Sequence, residues 1–118
     1  MEKVSSGDAS IDFEAFARVD VRVGEIRSVE RTEGTRAAAY KLVIDFGAEI
    51  GTKVSVAQAT NHPPETLQGT QVLAVVNLEP RRIGKYVSEV LTLGVPTEDR
   101  GTALVVPDMK AIVGGRLF

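Results

Sequence analysis

The sequence predicts an all-β fold, a single small barrel built from about five short strands. Three observations predict it. Several short segments between Val19 and Val106 alternate apolar with polar residues, the period of a strand that buries one face. Glycine-, proline- or polar-rich turns punctuate those segments. A chain of 118 residues holds one hydrophobic core, since a second would leave each half near the size where burial barely offsets chain entropy. The composition, 43% apolar and 25% charged, suffices for that core and is far from the composition of disorder.

Residues 1–10, MEKVSSGDAS, are polar and without apolar period, and are expected to form a flexible N-terminal arm ahead of a domain spanning 11–118. Ser10 or Asp12 can cap a short helix whose apolar face is Ile11, Phe13, Phe16 and Ala17, read as a lid on the barrel. Val19, Val21 and Val23 alternate, Gly24 interrupts, and Ile26 and Val29 continue out of phase. This is a strand with a bulge at the glycine, or two strands joined there. Tyr40, Leu42, Ile44 and Phe46 against Lys41, Val43 and Asp45 make the clearest strand. Gly47 to Gly51 supplies a hairpin loop. Lys53 to Ala59 follows with Val54 and Val56 expected inward and Lys53, Ser55 and Ala57 outward.

The adjacent prolines of NHPPETLQG exclude a strand interior and leave a connector with a helical turn through Glu65 to Leu67. Gln71 to Val76 reads as the fourth strand. Tyr86 to Leu93 reads as the fifth, with Glu89 interrupting its apolar face, so that either face could be the inner one. A short strand, Ala103 to Val106, precedes a tail, AIVGGRLF, whose apolar residues need cover. The order matches a five-stranded Greek-key OB-fold barrel with a short N-terminal helix and a short helical connector; a generic β-sandwich is the competing architecture.

The residues present exclude several classes of function. With no cysteine and one histidine there are no disulfides, no thiolate chemistry and little material for a metal site. His62, flanked by proline, reads as a turn residue, and no nucleophile–base pair or phosphate-cradling glycine loop occurs. No enzyme activity, cofactor or metal is expected. No apolar run approaches the roughly 20 residues of a membrane helix, and the start lacks a signal-peptide pattern. A cytoplasmic chain without membrane insertion is expected. A net charge of −2 disfavours indiscriminate attraction to nucleic acid, so any such binding must be local.

One segment is locally basic. NLEPRRIGKYVSEVLTLG carries Arg81, Arg82 and Lys85 against Glu79 in its first half, where Pro80 stiffens the approach and Gly84 permits a turn. Arginine's planar fork suits bidentate contacts, and Asn77 and Ser88 can donate and accept hydrogen bonds. In an OB barrel this loop borders the usual binding face, together with outward residues of the second and third strands, here Lys41, Lys53, Ser55 and Gln58. A solvated loop, or salt bridges to a neighbouring subunit, is the alternative.

The strings DVRVGEI, KLVIDFGAEIGTKVSVAQAT and VVNLEPRRIGKYVSEVLTLG, with FG, KxSxAQ and NxxPRxI in that order, resemble the CsaA family of bacterial secretion chaperones. These are stand-alone relatives of the tRNA-binding domain at the end of methionyl- and phenylalanyl-tRNA synthetases. The resemblance runs from about Phe13 to the C-terminus. It implies an OB-fold homodimer, with the N-terminal helix and C-terminal tail in the contact. It also implies two candidate activities, holding unfolded or export-bound polypeptide and binding tRNA. Where the tRNA-binding relatives carry glycine and methionine two and three positions after the serine, this chain has Val90 and Leu91. A valine beside the site is expected to hinder close approach of an RNA backbone.

Overall fold

The computed structural model describes residues 10–118, so the arm expected at residues 1–10 lies, apart from Ser10, outside the described residues. The elements are α1 (Phe13–Ala17), β1 (Val21–Arg31), β2 (Tyr40–Asp45), α2 (Gly47–Ile50), β3 (Thr52–Ala57), α3 (Pro64–Leu67) and β4 (Gln71–Val75). Five short strands follow, β5 (Arg81–Ile83), β6 (Tyr86–Ser88), β7 (Leu91–Thr92), β8 (Gly94–Pro96) and β9 (Thr102–Leu104). The main sheet runs β3-β2-β1-β4-β7, all antiparallel, and β5–β6 and β8–β9 are separate hairpins. This is a nearly closed five-stranded OB-type barrel.

The long β1 is what lets the sheet curl. Its first half pairs with β4, its second with β2, and Glu25 pairs with both. The register shifts between Ile26 and Ser28, so the bulge lies at Arg27 rather than at Gly24 as the sequence suggested. Gly24 serves the core instead. A Cβ there would stand 2.6 Å from Phe46 Cε1, and closer still to Ile44 Cγ2, so the packing leaves room for glycine only. Inside the curl sit Ile26, Tyr40, Leu42, Ile44, Phe46, Val72, Ala74 and Val90, with Leu67 of α3 closing one end.

β3 faces the other way from the sequence expectation. Its pairing sets Ser55 opposite Leu42 and Ala57 opposite Tyr40, and cross-strand partners share a face. Ser55 is therefore inward and 0% exposed, while Val54 and Val56 are half-buried on the outer side. A serine can occupy the core face because its hydroxyl meets that of Thr92 at 2.7 Å.

The expected fifth strand is split, β6 and β7 being separated by Glu89 and Val90. The break is what closes the barrel against β3. Glu89 N–H donates to Val54 O, and the Glu89 carboxylate accepts the Val54 N–H, both at 2.8 Å. Ser88 Oγ accepts the Val56 N–H at 2.9 Å and donates to Val90 O. Side chains thus complete a ladder that the backbone of this segment does not complete alone.

At the chain ends the expectations divide. Asp12 caps α1 by accepting the Ala15 N–H at 2.8 Å. The helix is no lid on its own barrel, since none of its residues is buried and Phe13 is 77% exposed. The tail pairs with the start of β1, through Gly114 N–H to Val23 O and Leu117 N–H to Val21 O. Ile112 (80%) and Phe118 remain exposed, and Arg116 donates to Ala17 O at 3.0 Å.

Candidate functional site

The basic segment folds as the β5–β6 hairpin. Gly84 takes φ +61 at the first position of its two-residue turn, a conformation that side-chain-bearing residues resist. The tip rests on the β1–β2 loop, where the Tyr86 hydroxyl accepts the Glu33 N–H at 2.9 Å and Lys85 lies 3.9 Å from the Glu33 carboxylate. Within the hairpin Arg81 pairs with Ser88 and Arg82 with Val87. Successive strand residues point to opposite faces, so the two arginines part company. Arg81 faces a cleft, and Arg82 shares the outer surface with the exposed Val87.

That cleft, about 630 Å³ and open to solvent, lies between the β1–β2 loop, the end of β3, β5 and the β8–β9 hairpin. Its lining mixes aliphatic side chains, including Val56, Ile83, Leu91, Val95 and Leu104, with polar ones, and its ionisable side chains are Arg36, Arg81 and Arg100. A recess of about 80 Å³ adjoins it, sharing Val56, Arg81, Ile83 and Leu91 and adding Leu78, Glu79, Ser88, Glu89 and Val90. The cleft has the position of a ligand groove on an OB barrel.

The residues singled out from the sequence are dispersed by the fold. Arg81 and Gln58 line the cleft. Arg82 is on the far side of its hairpin, Lys85 at the tip, and Lys53 near the opposite end of β3 from Gln58. Ser55 and Ser88 are buried, with their hydroxyls committed to the seam. Asn77 is exposed but engaged at both ends of its amide, accepting the Asp20 N–H at 2.9 Å and donating to Arg18 O at 2.7 Å. It fastens the entry of β1 to the end of β4. Val90 is 4% exposed and packs in the core, meeting the site only at the wall of the recess, while Leu91 is 45% exposed and lines the cleft. Reasoning from sequence missed Arg36, Arg100 and β8. Their charge was visible, but their convergence depends on contacts between segments far apart in the chain.

A barrel whose open cleft is built from loops and strand ends on one side defines a ligand-binding module of the OB class. More particularly, the chain belongs to the family described as putative tRNA binding domain, which matches residues 21–116. It is 33% identical over 110 residues to a methionine–tRNA ligase of Bacteroides fragilis, an alignment covering 92% of this chain. The chain spans only 16% of the length of that relative. Among solved structures it is similar to the CsaA chaperone protein from Picrophilus torridus, with 39% identity and a TM-score of 0.88, covering 92% of this chain and all of that one. The chaperone CsaA from Bacillus anthracis has 40% identity and a TM-score of 0.86, with 93% of this chain and 100% of that chain covered.

Proposed function

We propose that this chain is a non-enzymatic, export-related molecular chaperone that binds unfolded or preprotein polypeptide as a cytoplasmic homodimer. The observation that carries the reading is the set of aliphatic side chains in the cleft, with no aromatic ring among its lining residues. Such a surface accepts many aliphatic sequences through non-directional burial, as a holding chaperone requires. The similarity to CsaA chaperones over their whole chains supports it. The cleft's polar groups, among them Gln58, Thr92 and Thr102, include no base to activate a nucleophile among the described residues.

The exposed apolar side chains of α1 and the tail, among them Phe13, Phe16, Ile112 and Phe118, are what a second copy would cover. Sedimentation should therefore give a dimer, and Phe13→Asp should yield monomer. Suppression of aggregation of an unfolded client, together with binding to a peptide array, tests the main reading. Failure of both overturns it.

A second reading, tRNA binding, is favoured by the family description and by Arg36, Arg81, Arg82 and Arg100, which form no salt bridge among the described residues. Counterion release would make its affinity fall steeply with salt, and Arg81→Ala or Arg82→Ala would each lower the slope by about one. Undetectable binding to bulk tRNA at low salt excludes it.

A further inference from the structure

The charge of the cleft has a single sign. Arg36, Arg81 and Arg100 reach it from the β1–β2 loop, from β5 and from the β8–β9 turn, and no carboxylate among the described residues lines it; the adjoining recess holds Glu79 and Glu89, and the Glu89 carboxylate is bonded to the Val54 N–H. Elsewhere Arg22, Arg27 and Arg116 are paired, while Arg18, Arg31 and Arg82 have no carboxylate partner among the described residues. Arg22 bonds Asp20 at 2.6 Å, Arg27 bonds Glu25 and Asp45, and Arg116 lies 3.4 Å from Asp20. The three at the cleft have no such partner among the described residues.

Arg100 is held there against its own backbone preference. Its φ of +71 is the only positive value at a non-glycine residue among the described residues, in a region that favours glycine or asparagine. The turn enforces it. Arg100 N–H donates to Thr97 O at 3.1 Å, Gly101 N–H to Thr97 Oγ1 at 2.7 Å, and Thr97 N–H to Gly101 O at 3.0 Å. Glu98 and Asp99 precede Arg100 on the turn, and the Asp99 carboxylate accepts the Thr97 hydroxyl at 2.6 Å.

The hairpin is also anchored to the barrel. Thr102 N–H donates to Asn61 Oδ1, Thr102 O accepts from His62 Nε2 at 2.7 Å, and Thr102 Oγ1 donates to Gln58 O at 2.7 Å. The backbone that carries Arg100 is fixed before any ligand arrives, which lowers the cost of ordering this turn on binding.

We infer that Arg36, Arg81 and Arg100 select which polypeptide segments the cleft takes: aliphatic stretches flanked by aspartate or glutamate, with segments flanked by lysine or arginine rejected. The inference rests on the polypeptide-binding reading and names its client class. Aliphatic side chains suit those lining the cleft and carboxylates suit the unpaired guanidiniums. Single-stranded nucleic acid fits less well, because binding of that kind relies on aromatic platforms for the bases and the cleft lining has none.

The test uses the full chain and three fluorescent peptides sharing one aliphatic core, flanked by glutamates, serines or lysines, with anisotropy read at low and moderate salt. The glutamate peptide should bind about tenfold or more tighter than the lysine peptide at low salt, with serine between, and added salt should narrow the gap. Arg100→Gly relieves the positive φ, so it should fold at least as well as the parent while reducing the preference. Arg36→Gln should reduce it independently. Equal affinity for all three peptides, or a preference unchanged in the double variant, overturns the inference and leaves the polypeptide reading standing. Failure to bind any peptide overturns both. Arginine-dependent capture of a single-stranded RNA oligonucleotide in that case would assign the cleft to phosphate.

Discussion

Gly24→Ala adds one carbon at the most crowded point of the barrel. The new Cβ would meet Phe46 at 2.6 and 2.9 Å, and Ile44 more closely, where carbon atoms ordinarily sit about 3.5–4.0 Å apart. Both neighbours are almost wholly buried, so neither can swing into solvent. Overpacking of this kind costs about 1–3 kcal/mol, and relief near 1 Å within a closed core belongs at the upper end. Reduced entropy of the unfolded chain offsets roughly 0.4–1 kcal/mol. The net loss is about 2 kcal/mol, which at about 4 °C per kcal/mol lowers the melting temperature by about 8 °C. Urea unfolding followed by circular dichroism measures it. In a Phe46→Leu background, which removes the nearer ring edge, the cost of Gly24→Ala should fall by about 1 kcal/mol. A Gly24→Ala protein as stable as the parent would refute the steric account and return Gly24 to a bending role.

Two further predictions concern the seam and the ion pair between β1 and β2. Ser88→Ala removes the acceptor of the Val56 N–H and should cost about 1–3 kcal/mol, with loss of hydrogen-exchange protection at the Val56 amide; unchanged protection there would contradict the closure described. The Asp45 carboxyl is held below its ordinary pKa by the hydrogen bond from Arg27 and then by the Gly47 N–H. Its ionised form therefore adds stability above the ordinary value of about 3.9, and that contribution is lost as pH falls through the lowered folded-state value. The stability gap between the parent and Asp45→Asn should be open at pH 6 and close in strong acid, and a gap independent of pH would show that the ion pair is not its source.

Much of the barrel was legible because alternation reports a half-buried strand directly. Tyr40 to Asp45 is the plainest case, and the five-strand order followed from it. The misreadings have physical causes. Val54 and Val56 look like core residues and Ser55 like surface, yet the register opposite Leu42, with a hydroxyl partner in Thr92, reverses them. Glu89 breaks an apolar pattern because its carboxylate stands in for a backbone acceptor on the neighbouring strand. At the binding face, the adjacency of Arg81 and Arg82 suggested one patch, although strand geometry sends them to opposite sides of the hairpin. Arg36 and Arg100 carried no local signal, since what joins them to Arg81 is the closure of the barrel itself.

On the proposed reading, the Arg81 cleft holds polypeptide. A photo-crosslinking side chain placed at Ile83, in the cleft wall, and at Val87, on the outer side of the same hairpin, tests it in cell extract. Polypeptide adducts from position 83, few from position 87, and little RNA from either are the predicted result. RNA recovered chiefly from position 83, or polypeptide recovered equally from both, would contradict it.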